Sequence, residues 1–239
     1  MMLVEHDIEA EFIAELPLVV VTMEQIGGDV RIAFAVRKSD AKRRRALGER
    51  GYVMATLGTG YGTRKVYDAY RKAYLGKFGT APGADRFAYL GLVAVAHDKD
   101  EARKRGDLIA GYVRTSPIVH LPFRNPPGYL PAEDNARMLR GETPPRTFTK
   151  DGRVISMQTA SIDELIAAGV LFCGTPDEVY AQIVGFCEHC GGMGNLLMMG
   201  HGGELTHAQT VDNITLFSRE VLPRLKAWQQ PDAAAAAAA

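Results

Sequence analysis

The stretch from Gly174 to Met199, GTPDEVYAQIVGFCEHCGGMGNLLMM, decides the fold. Thr175 can cap a helix, Pro176 suits its first position, and Glu178 completes a T-x-x-E capping box. Val179, Ile183, Phe186, Cys187 and Cys190 then form an apolar stripe at helical spacing. Gly191-Gly192 stops the helix, Asn195 to Met199 is a short β-rich run, and Gly200-His201-Gly202-Gly203 is a turn. A helix leading directly into a strand and a glycine turn is the repeating unit of a parallel α/β sheet.

The same unit recurs upstream. Val30 to Val36 reads as a strand, Ser39-Asp40 as a cap, and Ala41 to Arg50 as a helix stopped by Gly51. Tyr52 to Leu57 is the next strand and ends in Gly58-Thr59-Gly60-Tyr61-Gly62. Thr63 opens a helix whose stripe is Val66, Tyr70, Ala73, Tyr74 and Phe78. Phe87 to Ala96 is nearly continuous in apolar residues, as strands buried on both faces are. A helix from about Glu101 to Arg114 follows it. Ser161 to Ala168 reads as a short helix. A last helix runs from about Thr206 to Trp228 on Val211, Ile214, Leu216, Phe217, Val221 and Leu222. Four strand-then-helix units result, with Leu18 to Thr22 a further strand after a helix over Asp7 to Glu15. The expectation is a partial (β/α)8 barrel, since a closed one holds eight units in about 250 residues.

Two stretches depart from this rhythm. Ser116 to Ile155 holds seven prolines and reads as a long insertion with one short helix near Pro131 to Leu139. Ala233 to Ala239 is pure alanine and reads as a disordered tail from residue 229 on. The domain expectation is an atypical lead-in over 1–29, a barrel portion over 30–228 with its insertion at 116–155, and that tail.

Composition excludes some functions. The 28 basic and 28 acidic residues balance, which argues against a dedicated nucleic-acid or membrane-surface protein. Lys42-Arg43-Arg44-Arg45 is a local basic run without aromatic partners and reads as a solvated helix face. No run reaches the ~20 apolar residues of a spanning helix, the start lacks a secretory signal, and three cysteines are too few for a disulfide framework. The expected compartment is the cytoplasm. Cys187-Glu188-His189-Cys190 lacks the second half of a zinc site, and its cysteines lie on the apolar stripe, so no metal is expected.

Ligands of α/β sheets sit at the carboxyl ends of the strands. Those ends are Arg37-Lys38-Ser39, Gly58 to Thr63, His97-Asp98 and Gly200 to Gly203. Arg37 and Ser39 could hold a phosphate at a helix start, and so could the backbone of Gly58, Thr59 and Gly60, although the glycine spacing is not G-x-G-x-x-G. Each has a plainer reading: Ser39 caps its helix, and the glycines make a tight turn. His201 and His207 flank the final turn.

From Gly174 to Leu225 the sequence resembles the end of bacterial-luciferase-like, flavin-dependent monooxygenases. Phe217, Glu220, Val221, Pro223 and Leu225 match that family's F-x-x-E-V-x-P-x-L ending, and Ile32 to Gly58 is similar to its fifth strand, following helix and A-T-L-G strand. The resemblance implies an eight-unit barrel, reduced FMN or a deazaflavin as cofactor, and oxidation of a small organic substrate by O₂. It implies a phosphate-binding serine at Ser39, with Arg37, Gly58, Thr59 and Gly60 beside it, and places His201 and Gly203 near the flavin ring or substrate. A flavin reductase as supplier of reduced flavin and a homodimer are the implied partners. The family's first half has no counterpart before Val30, so a truncated member with no assignable catalytic acid or base is expected. The alternative is a non-catalytic half-barrel that associates through its exposed sheet edge.

Overall fold

The computed structural model of the chain describes residues 19–25, 28–34, 41–115, 147–228 and the single residues 132, 136 and 140; for 19–25, 28–34, 41–44 and 46 it describes the backbone alone. The expected helix over Asp7 to Glu15, the alanine tail and, of the expected 116–155 insertion, residues 116–146 apart from those three lie outside the described residues.

Six strands form one sheet: β1 (Val19–Gln25), β2 (Gly28–Phe34), β3 (Val53–Leu57), β4 (Phe87–Val95), β7 (Leu171–Gly174) and β8 (Asn195–Met199). Strands β2, β3, β4, β7 and β8 pair in parallel. The lead-in strand differs from its parallel neighbours: β1 runs antiparallel to β2, Val19 opposite Phe34, because only Ile26 and Gly27 separate the two and so short a link reverses the chain. A two-stranded hairpin, β5 (Thr147–Phe148) with β6 (Val154–Ile155), stands apart. The sequence reading missed this hairpin inside the proline-rich stretch, and it missed β7, whose four residues are too few to show a period.

Helices α1 (Ala41–Arg50), α2 (Thr63–Phe78), α3 (Lys99–Thr115), α4 (Ile162–Ala167), α5 (Pro176–Cys190), α6 (His207–Leu216) and α7 (Leu222–Ala227) complete the order, with a π-turn over Phe217–Val221 joining the last two. The α5 cap is as expected. Thr175 and Glu178 exchange both capping-box bonds, Pro176 opens the helix, Gly191 closes it at φ 74, and the whole predicted stripe is buried. Two stripes differ. In α2 the buried face follows Thr63, Tyr67, Tyr70 and Arg71, so of the expected stripe only Tyr70 is fully buried, and Phe78 is 46% exposed with its ring 4.4 Å from that of Tyr74. In the last helix Val211 and Ile214 are exposed, whereas Asn213, Leu216, Phe217 and Val221 are buried. The buried side follows 213, 216 and 217 at helical spacing, and the wider π-turn carries it on to 221.

Alternation along β4 sorts the core into layers. Phe87, Tyr89, Val93 and Val95 face a cluster with α2, α5 and the π-turn, including Tyr67, Tyr70, Val179, Phe186 and Phe217. Leu92 and Ala94 face the other side, against Ile109, Ala110 and Leu165 from α3 and α4. Lower on that side Val53, Ala55 and Ala88 pack with Leu197. The sheet therefore carries helices on both faces.

Strand β4 organises the sheet. It pairs with β3 over residues 87–90, with β8 over 88–92 and with β7 over 92–95. The N–H groups of Leu92 and Ala96 reach Val170 and Gly174, on the β7 side. Those of Val93 and Val95 point the opposite way, where β8 ends at Met199. There Asn213 takes over: its amide oxygen accepts from Val95 N–H at 2.7 Å, and its nitrogen donates to Val93 and Gly200 carbonyls at 2.9 Å each. One side chain thus stands in for the missing length of strand. No described helix is long and apolar enough to cross a membrane.

Candidate functional site

Gly58, Thr59 and Gly60 form the turn from β3 into α2, at φ +64 and +55 for the two glycines. The amides of the four residues after it are occupied by carbonyls: Tyr61 N–H donates to Phe148, Gly62 to Thr59, Thr63 to Gly60 and Arg64 to Tyr61. The hydroxyls of Thr56, Thr59 and Thr63 bond to one another beneath it. A Cβ on Gly60 would lie 2.4 Å from the Ala168 carbonyl oxygen and 2.6 Å from that of Phe148. Gly60 is thus required by close backbone approach, and Gly58 by its positive φ.

At the end of β8, His201 is exposed and its Nδ1 lies 3.3 Å from the Thr210 hydroxyl. Gly203, at φ +59, lies so close to α3 that a Cβ would sit 1.7 Å from the Leu108 carbonyl oxygen. His207 begins α6 and is exposed. Arg37 and Ser39 lie outside the described residues. The structure therefore does not bring the nominated residues into one described constellation. Of the basic run, Arg45 is exposed and pairs with Glu49 at 2.6 Å, as a solvated face does.

At the strand end that His97 marks, beside the ends of β4 and β7, lies a cleft of 630 Å³ whose other lining residues, among them Thr175, Asp177, Arg219, Glu220 and Arg224, the sequence reading did not nominate. Asp177 holds Arg224 at 2.6 Å, the Arg224 guanidinium lies over the Tyr180 ring at 4.1 Å, and His97 Nε2 is 3.6 Å from Glu220. The signal available for it was the helix start at Thr175, which implies a strand end just before it.

No group of three or more metal-ligating side chains occurs among the described residues. Cys173, Cys187 and Cys190 are buried thiols. Burial pushes Cys173 and Cys187 up to about 11, and Cys190 further in the same direction. The thiolate is the reactive form, so a disulfide reagent at pH 8 should modify none of the three in the folded protein and all three after denaturation. Burial likewise raises Tyr67, Tyr70 and Tyr89, the first and last donating to the Ala88 and Gly169 carbonyls. These phenols are fixed donors of the core.

His189, edge-on to Tyr61 at 4.8 Å, is lowered by burial and then by Arg64 and Lys150. The unfolded chain therefore binds the proton more readily, and the stabilisation present above pH ~6.5 is lost as pH falls below it. Replacing His189 with Gln should flatten that acid-side slope in urea midpoints measured from pH 7.5 to 5.

The FMN complex of the oxygenating constituent of 3,6-diketocamphane monooxygenase from Pseudomonas putida aligns over 83% of this chain with a TM-score of 0.54 at 21% identity. The monooxygenase RslO1 from Streptomyces bottropensis aligns over 86%, also at 0.54, with 16% identity. The chain has the luciferase-like fold. It spans about half the length of these two proteins, 48% and 56%. No family model matches the sequence, and no curated protein matches it either. The likeness lies in backbone course, at 21% and 16% identity.

Proposed function

We propose that the chain is the C-terminal portion of a luciferase-like (β/α)8 barrel and serves a flavin-dependent oxidoreductase that uses reduced flavin and O₂ on a small organic substrate. The observation that carries this is the shared fold with an FMN-bound monooxygenase. FMN is the proposed cofactor, with a deazaflavin as the alternative. When bound, the reduced flavin supplies the electrons, and the protein supplies position and exclusion of water.

Arg37 and Ser39 are the residues proposed to hold the cofactor phosphate, through a guanidinium and a hydroxyl at the start of α1. His201, exposed at the end of β8, is the group proposed to face the ring or substrate. A flavin reductase is the proposed partner and the cytoplasm, where thiols stay reduced, the proposed compartment. Alanine at both Arg37 and Ser39 should weaken FMN at least tenfold and leave riboflavin, which lacks the phosphate, within twofold. Equal loss for both ligands, or for neither, would remove these residues from the phosphate site.

A specific observation favours a second reading. Among the described residues β8 pairs only with β4, and its half-buried residues Asn195 to Met199 carry no charge. Such an edge is a template for another strand, and a homodimer joined there is the proposed assembly. Light scattering after size exclusion distinguishes the two: a flavin-loaded species supports the enzyme, and a flavin-free dimer supports the non-catalytic reading.

A further inference from the structure

The closure of the Gly58–Thr63 turn has a topological cause. Strand β3 accompanies β4 only to the Leu57–Leu90 pair. From Leu92 onward β7 is the new parallel partner, bonded to the N–H groups of Leu92 and Ala96. Residues 88–90 pair with β3 and with β8, and Leu92 pairs with β7 and with β8, so β3 and β7 both lie on the edge of β4 opposite β8. Strand β7 thus takes the edge of β4 that β3 leaves, and residues 58–61 are peeled off the sheet with their peptide groups in need of new partners.

The β5–β6 hairpin supplies them. Thr147 Oγ donates to the Gly58 carbonyl at 2.7 Å, Phe148 N–H to the Thr59 carbonyl at 3.3 Å, and Tyr61 N–H to the Phe148 carbonyl at 2.9 Å. Gly60 and Phe148 form a parallel bridge. The Phe148 ring lies 2.7 Å from where a Gly62 Cβ would be, and Met157 lies 2.9 Å from the same position on Gly58. The hairpin is itself anchored: Thr149 accepts from and donates to the Asp151–Arg153 turn, and Arg153 pairs with Glu164 at 2.7 Å.

We infer that the glycine turn after β3 is the docking site of the chain's own hairpin, residues 147–157, and takes no cofactor phosphate. The turn and hairpin form one structural joint, and any phosphate recognition falls to other residues. This inference stands whether or not the chain binds flavin.

Amide hydrogen exchange and amide chemical shifts on the full chain test it, with inorganic phosphate and FMN as separate probes. The Tyr61, Thr63 and Phe148 amides should be protected together, and neither probe should shift the amides of residues 58–64. Thr147→Val, which removes one joint contact, should speed exchange at Phe148 and Tyr61 at least tenfold and raise protease cleavage within 147–157. Gly60→Ala should do the same more strongly, and Thr147→Val gives the readout if that variant does not fold. Saturable shifts at residues 58–64 with either probe would overturn the inference. So would unchanged exchange at Tyr61 in Thr147→Val. Absence of flavin binding with these amides protected would count against the proposed enzyme and leave the joint intact.

Discussion

Asn213→Leu should destabilise the protein by about 3–5 kcal/mol, since an unsatisfied buried polar group costs about 1–3 kcal/mol and this change leaves three of them. Asn213 is fully buried, and its amide completes the edge of β4 where β8 stops. Leucine is close in size and apolar, so packing is largely kept and the loss isolates the hydrogen bonds. Asn213→Asp should also be costly, because a carboxylate cannot donate to the Val93 and Gly200 carbonyls. Urea unfolding followed by circular dichroism measures both. A loss below about 1 kcal/mol for Asn213→Leu would mean that water satisfies the β4 edge, which the buried geometry does not predict.

Arg71→Met should cost about 2–4 kcal/mol, as hydrogen bonds to a charged group contribute about 1.5–3 kcal/mol each. The Arg71 guanidinium is buried and lies 4.5 Å over the Phe87 ring. One of its nitrogens reaches the Cys190 and Gly191 carbonyls at 2.8 Å each, and the other pairs with Asp68 at 2.9 Å. These carbonyls close the end of α5, so the side chain joins α2 to the turn before β8. Arg71→Lys should recover less than half of the loss, because a single ammonium cannot reach both the carbonyls and Asp68 in the guanidinium's planar geometry. Full recovery by lysine would show that charge alone matters there.

Elements with a strong local code were legible in the sequence. The α5 helix had a capping box, a proline start, a glycine stop and a full apolar stripe, and it forms within those signals. Strand β4 was legible from its nearly continuous apolar run. What the sequence hid was set by distant partners. Strand β7 is four residues long and exists because β4 offers it an edge. The hairpin of Thr147 and Phe148 forms because residues 58–61 need partners, and nothing local announces that. The glycine turn illustrates the same limit at the candidate site. Its residue types suit an anion or a tight turn equally, and only the position of Phe148 and Ala168 separates the two. Asn213 sat in a helical stretch as one polar residue among several, with no local sign that a strand edge would depend on it.

The proposed function is tested most directly by anaerobic fluorescence titration of the purified chain with FMN, reduced FMN and a deazaflavin. The account predicts saturable binding of a flavin, with the reduced form the tighter ligand, consistent with a fold shared with an FMN-bound monooxygenase. No binding of any of the three, by a chain that is folded by circular dichroism, would contradict it.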